Sequence, residues 1–203
     1  MRVPRDLRAE WTTVASTMKL HVVVCSTRPG RVGLAIGQWF AERARAHARF
    51  DVLLVDLKEV GLPLYDEPNH PRLKRYEQAH TKAWSALVGA GDAFVFVTPE
   101  YNYAPPPSLV NAIDYLFHEW GYKPAGFVSY GGVSGGTRAV QVTKQLLTTL
   151  KVMPIPEAVT IPMVAQHLDE GGAFKGGESF DKASGGMLDE LHRWASALAP
   201  LRA

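Results

Sequence analysis

Five short apolar runs, each followed by a stretch with helical spacing, set the strongest limit on what this chain can fold into. The runs are Leu20 to Cys25, Val52 to Val55, Ala93 to Val97, Ala125 to Tyr130 and Met153 to Ile161. Runs of this length, rich in β-branched and aromatic residues and bounded by Gly and Pro, read as strands buried on both faces. After the first run, Val32, Ile36, Trp39, Phe40 and Ala44 recur at the spacing of one helix face. Later helices are predicted through Tyr76, Ala79, Ala83 and Leu87; around Leu109, Ile113, Leu116 and Phe117; through Val140, Thr143, Leu146, Leu147 and Leu150; and over Ala183 to Leu198. Pro154 and Pro156 interrupt the fifth run, and because proline donates nothing to a ladder, that run belongs at a sheet edge.

Strands alternating with helices predict an α/β protein: a parallel sheet between two helical layers. Right-handed crossovers leave two common doubly wound orders, and five strands suit the flavodoxin-like order 2-1-3-4-5. Ligands of such sheets lie beyond the carboxyl ends of the strands, at the switch point between strands one and three. The loops after strands one, three and four, all of unusual composition, fall there. The chain has 203 residues, 46% of them hydrophobic, enough for one core. We read residues 18–203 as a single domain and residues 1–17 as a loosely ordered extension without the apolar segment of a secretory signal. With 22 basic against 20 acidic residues and no block of one sign, neither nucleic acid nor a membrane surface is an expected partner. Cys25 is the only cysteine, which rules out an internal disulfide and a Cys-rich metal site and fits a reducing cytoplasm.

The first loop, Ser26-Thr27-Arg28-Pro29-Gly30-Arg31-Val32-Gly33, joins a strand to a helix start. Free amides at a helix N-terminus, hydroxyl donors and guanidinium groups together suit a phosphate, although the glycine pattern is neither GxGxxG nor a P-loop. The alternative is a simple cap with a solvated arginine. The loop after strand four contains Gly132-Val133-Ser134-Gly135-Gly136, which fits the G-x-S-x-G elbow of serine hydrolases. Asp169 or Asp181 and then His192 would complete a hydrolase triad in order, but Gly131 and Gly132 separate Ser134 from the strand end, and His192 sits within a helical pattern. The glycines also have another use, bringing bare backbone against a flat ligand. The third unusual stretch, Thr98 to Asp114 (TPEYNYAPPPSLVNAID), leaves a buried strand through an acid, two tyrosines, an asparagine and three prolines.

Taken together, STRPGR after strand one, LPLYD at Leu62 to Asp66, TPEYNY followed by NAID at Asn111 to Asp114, KPxxxVSYGG at Lys123 to Gly132 and SGGxRA at Ser134 to Ala139 resemble the NADPH-dependent FMN reductases, the flavodoxin-like family that includes chromate, quinone and azo-dye reductases. The resemblance runs from Lys19 to Leu198 and implies FMN as cofactor, NADPH or NADH as electron donor and a small-molecule electron acceptor. By resemblance, Ser26, Arg28 and the backbone of Arg31, Val32, Gly33, Leu34 and Ala35 hold the FMN phosphate. Pro99, Glu100, Tyr101, Asn102 and Tyr103 line the ring. Tyr130, Gly131, Gly132, Ser134, Gly135 and Gly136 close its pyrimidine side. No residue acts as catalyst in its own right, since the flavin N5 carries the chemistry, and no metal is implied. Tyr65, Asp66, His70 and His118 are candidates for the substrate rim, and Arg72, Lys74 and Arg75 for the extra phosphate of NADPH. The resemblance also implies a homodimer or tetramer, for which Phe117, Trp120 and Pro105 to Pro107 offer apolar surface. A flavin-binding sensor without turnover, or a hydrolase centred on Ser134, are the other functions compatible with the residues.

Overall fold

A computed structural model describes residues 17–202, so the expected N-terminal extension lies, apart from Thr17, outside the described residues. Five strands, β1 (Met18–Val24), β2 (Phe50–Asp56), β3 (Ala93–Pro99), β4 (Pro124–Tyr130) and β5 (Met153–Ile161), form one sheet. All pairs are parallel, in the order β2-β1-β3-β4-β5. This is the predicted flavodoxin-like order. Side chains alternate between two cores. Leu20, Val22, Val95, Val97, Val128 and Tyr130 meet Ile36, Phe40, Met187 and Leu191 of α1 (Gly33–His47) and α6 (Glu178–Leu198) on one face. Val23, Cys25, Phe94, Phe96 and Phe127 meet Trp84, Leu109, Ile113 and Leu147 of α3 (Ala79–Ala90), α4 (Pro107–Asp114) and α5 (Thr137–Thr149) on the other. The central strands are therefore buried on both sides, which is why their sequences read as continuous apolar runs. β5 is an edge strand, and its register against β4 slips between Ala125 and Phe127, opposite the Pro154–Pro156 segment.

Helix boundaries depart from the predicted ones where side chains capture backbone amides. The third helix starts at Ala79, with Tyr76 before it, because the buried carboxylate of Glu67 accepts from the amides of Glu77 (2.8 Å) and Gln78 (2.9 Å) and holds that stretch as a loop. One short helix, α2 (Leu57–Val60), was not predicted; the Asp56 carboxylate caps it through the Lys58 amide. α4 stops at Asp114, which leaves Leu116 and Phe117 beyond it, and α6 begins five residues before the predicted Ala183, at Glu178. Trp120 is not surface for an interface. Its ring lies 5.0 Å from that of Phe94 and 6.0 Å from that of Trp84, fully buried, and its indole N–H donates to the Ile113 carbonyl. Pro105 and Pro106 are buried as well; of the expected apolar surface, only Pro107 is exposed and Phe117 half-buried.

At the amino end of the sheet, His21 is buried against Phe94, and its Nδ1 has no hydrogen-bond partner. Burial, reinforced by the nearby Lys123 ammonium, lowers its pKa to about 4. The unfolded chain therefore binds more protons than the folded one between about pH 6.5 and 4. The stability contributed by a neutral His21 is present above that window and is lost as pH falls through it. Urea denaturation should find the protein about 2 kcal/mol less stable at pH 5 than at pH 8 from this group alone. The variant His21→Phe should lose correspondingly less across the same range; an equal loss in both proteins contradicts the assignment.

Candidate functional site

The three loops singled out in the sequence lie together beyond the carboxyl ends of β1, β3 and β4. In the first, Ser26 is buried and its hydroxyl lies 2.7 Å from that of Tyr101, so the loops after β1 and β3 meet through two hydroxyl groups. Tyr130 adds a third. Its phenol oxygen, close to the Ser26 hydroxyl, is buried with no well-formed hydrogen bond among the described residues and is pressed under the start of α1, where a Cβ on Gly33 would come within 2.4 Å of it. Helix α1 has no side-chain cap and no acid in its first turn, so its leading amides are left for an anion. The side chain of Arg28 is exposed. Arg31 is spent elsewhere: its guanidinium, almost buried, pairs with Asp56 at the end of β2. Its backbone amide is used as well, in a turn closed on the Arg28 carbonyl at 3.2 Å. Cys25 is buried in the sheet, burial pushes its thiol up, and its carbonyl accepts from the Ser108 hydroxyl at 2.5 Å.

The segment after β3 forms a two-residue turn. Tyr101 and Ala104 exchange both backbone bonds, at 2.9 and 3.0 Å, and Asn102 (φ 51°) and Tyr103 (φ 69°) both sit in the left-handed region. These are the features of a type I′ hairpin, which asparagine tolerates and tyrosine resists by about 1–2 kcal/mol. Pro99, Pro105 and Pro106 are buried on either side and fix the φ values that frame the turn. Glu100 points away from it, towards the start of α5. Its carboxylate accepts from the Arg138 amide (3.1 Å) and from the Arg138 guanidinium (2.8 Å). Burial opposes its ionisation, but the Ser134 hydroxyl, Arg138 and the amides of Arg138 and Ala139 outweigh that and hold its carboxyl below the usual range. Glu100 is therefore an anionic tie between two loops.

The glycine loop is equally constrained. Gly136 starts α5 with φ 86°, and a Cβ there would strike the Ser129 side chain and the Tyr130 amide, both at 2.9 Å. Gly131 and Gly132 accept from Val164 and Met163 beyond β5 at 3.0 and 2.8 Å. Ser134 accepts from the Gly136 amide and has no imidazole beside it. His192 meets Phe50, the first residue of β2, edge to face, at the other end of a strand roughly 20 Å long. Asp181 pairs with Arg43, and Asp169 caps its own turn through the Ala173 amide. The hydrolase triad is not assembled.

The Tyr130 side chain lies beneath α1, because the parity of β4 turns it into the α1–α6 core, and only its backbone continues into the glycine loop. The four rim candidates hold the long loop after α2. The amide of Tyr65 donates to the Asn111 side chain (2.9 Å), and its hydroxyl donates to the Asn69 carbonyl. Asp66 bonds to His80 and to the Tyr115 hydroxyl, both at 2.9 Å; the imidazole chiefly keeps its carboxyl below the usual range. His70 caps the turn at Arg72, and His118 meets the Arg72 carbonyl at 2.8 Å. His70, Arg72 and Phe117 line a cavity of about 610 Å³ that Leu150 closes at the foot of α5, away from the three loops. Another cavity, of about 360 Å³, adjoins the first loop at Thr27 and is lined by Lys58, Leu62, Ser108 and Asn111. Arg138 lies within the SGGxRA motif, whose spacing alone assigns it no task, and Asp56, an acid at a strand end opposite an arginine-bearing loop, carries the sequence signal for its pair with Arg31.

Comparison with known proteins decides the family. A model of the NADPH-dependent FMN reductases matches residues 18–166. The chain belongs to this family of oxidoreductases. It is 42% identical over 150 residues to an NAD(P)H-dependent FMN reductase of Schizosaccharomyces pombe, covering 72% of this chain and 74% of that one. It is 35% identical over 171 residues to a quinone reductase of Pseudomonas putida, covering 78% and 86%. The fold matches that of the flavoenzyme NAD(P)H:acceptor oxidoreductase of Paracoccus denitrificans with a TM-score of 0.68 at 22% identity, over 89% of this chain and 98% of the other.

The contact between Gly33 and Tyr130 is testable without any ligand. Gly33→Ala should cost about 1 to 3 kcal/mol in urea denaturation by overpacking. Adding Tyr130→Phe removes the nearest atom and should restore part of that loss. If the single variant is as stable as the parent, the close approach is not real.

Proposed function

We propose that this member of the family is an FMN-dependent NAD(P)H oxidoreductase that reduces quinones, free flavins, azo compounds or metal ions. The observation that carries the reading is the meeting of Ser26, Tyr101 and the buried Tyr130 hydroxyl at an uncapped, acid-free helix start. An anion with several acceptor oxygens satisfies that arrangement, and a phosphate at the end of a flat cofactor is such an anion. When bound, FMN would take a hydride from NAD(P)H at N5 and return the electrons to an acceptor in the same place, giving ping-pong turnover.

The chain's own residues bind and orient. Ser26, Arg28 and the amides from Val32 to Ala35 hold the phosphate, the Arg31 amide being bonded to the Arg28 carbonyl. The turn from Pro99 to Tyr103 offers its main chain to one face of the isoalloxazine. Within the glycine loop the amides of Gly131, Gly135 and Gly136 are used by the Ile161 and Gly132 carbonyls and the Ser134 hydroxyl, so those of Gly132, Val133 and Ser134 are the donors left to meet the polar edge and stabilise negative charge there, as an oxyanion hole does. Rigidity is what makes them effective, and the Glu100 tie and the bonds to Met163 and Val164 supply it. Tyr65 and Asp66 take part through the shape of the second loop, which exposes Leu64 at 83% and Leu73 at 56%. Those two side chains support assembly as a homodimer or tetramer. No described helix is long and apolar enough to cross a membrane, and the buried, unpaired Cys25 suits a cytoplasmic protein.

The purified protein should be yellow or take up added FMN, and should then consume NADPH with menadione as acceptor. A colourless protein that takes up no FMN sinks the proposal, whereas FMN uptake without turnover leaves a flavin sensor. Asn102→Ala should weaken FMN at least about tenfold while costing the fold only about 1 kcal/mol, the penalty of a left-handed alanine. Fluorescence titration and urea denaturation measure the two effects separately.

A further inference from the structure

Arg138 stands at the mouth of the candidate cradle with more hydrogen-bonding capacity than the fold uses. It is the second residue of α5, so it bridges the glycine loop and the turn after β3. Its guanidinium carbon lies 4.2 Å from the centroid of the Tyr103 ring, and one nitrogen, Nη1, bonds to Glu100. A guanidinium carries five donor hydrogens in a planar fork. No other bond is made by the Arg138 side chain among the described residues, and that side chain is 50% exposed, against 9% for Glu100.

The pair with Glu100 does not use up the positive charge. The Glu100 carboxylate also accepts from the Ser134 hydroxyl and from the amides of Arg138 and Ala139, at a helix start whose dipole itself favours an anion. Much of its charge is thus met by backbone that would remain if the Arg138 side chain were changed. Tyr103, beside the guanidinium, is 67% exposed, and the glycine loop that precedes α5 exposes Val133 at 88%, with Met163, bonded to its Gly132 carbonyl, at 45%. A flat face beside a cation whose outer donors are free is a site for a ring that bears an oxyanion.

We propose that Arg138 and Tyr103 form a platform that selects ring ligands carrying an added phosphate or sulfonate over the same kind of ligand without it. The inference rests on the flavin reading above, since it concerns what approaches the cradle. The oxyanion has two possible sources, the electron donor (the 2′-phosphate of NADPH) or the acceptor (an anionic quinone or dye), and the chemistry of recognition is the same for both.

Steady-state kinetics of the FMN-loaded protein, Arg138→Gln and Arg138→Lys distinguish the sources. One arm compares NADPH with NADH, with menadione as acceptor. The other compares 1,2-naphthoquinone-4-sulfonate with menadione, with NADPH as donor. In Arg138→Gln the ratio of kcat/KM for the ligand with the extra oxyanion to that for the ligand without it should fall about tenfold in one arm, the size of one charge-assisted hydrogen bond. Arg138→Lys should recover part of that ratio, because it keeps the charge and loses the fork. Raising ionic strength should erode the preference in the parent and leave the Gln variant's ratio nearly flat. A shift in the first arm assigns the platform to the donor, and a shift in the second to the acceptor. If both members of each pair fall together, with no salt-dependent preference in the parent, Arg138 is only a structural tie and the proposal is overturned. A parent protein with no FMN or no NADPH turnover would instead overturn the function proposed above, a result visible before any variant is made.

Discussion

One carboxylate joins the two loops on which the candidate site depends. Glu100 leaves the end of β3, reaches the start of α5 and accepts from its backbone, so that the turn after β3 and the glycine loop before α5 behave as one piece. Neither loop would hold its amides still alone. The turn contains two successive left-handed residues, one of them a tyrosine, and the glycine loop has the largest backbone freedom available to a chain. Fixing them to each other and to the end of β5 turns soft backbone into a preorganised set of donors, the state in which such donors stabilise charge most effectively.

The sheet places these loops, and much of the sheet was legible. Residues buried on both faces have no choice but to be apolar, so β1, β3 and β4 announced themselves as runs, and the prolines of β5 marked its edge. Boundaries were less legible because they are set by side chains distant in sequence. Glu67 holds Glu77 and Gln78 out of α3, and nothing near Tyr76 signals that capture. Tyr130 illustrates the same limit at the site. Its position at the strand end was readable, but parity within β4 decides that its ring goes under α1.

The second loop shows how a polar segment can be structural and still look functional. Tyr65, Asp66, His70 and His118 are residue types that suit a substrate rim, yet each bonds within the chain. Asp66, His80 and Tyr115 form a small closed cluster, and Asn111 of α4 ties the loop down at Pro63 and Tyr65. A long loop fixed by its own side chains can present Leu64 and Leu73 to a partner without the entropic cost of ordering them. Arg138 is the reverse case, a residue that a motif contains and whose surplus donors only the three-dimensional arrangement reveals.

The central claim is positional: one cradle, with its anion end at the start of α1 and its flat end against the turn after β3. A crystal structure of the protein grown with FMN tests it most directly. The account predicts the phosphate within hydrogen-bond distance of Ser26 and the leading amides of α1, with the ring against Pro99 to Tyr103 and its polar edge facing Gly131 to Gly136. A phosphate bound elsewhere, or a ring lying in the cavity beside Lys58 and Asn111, would contradict it.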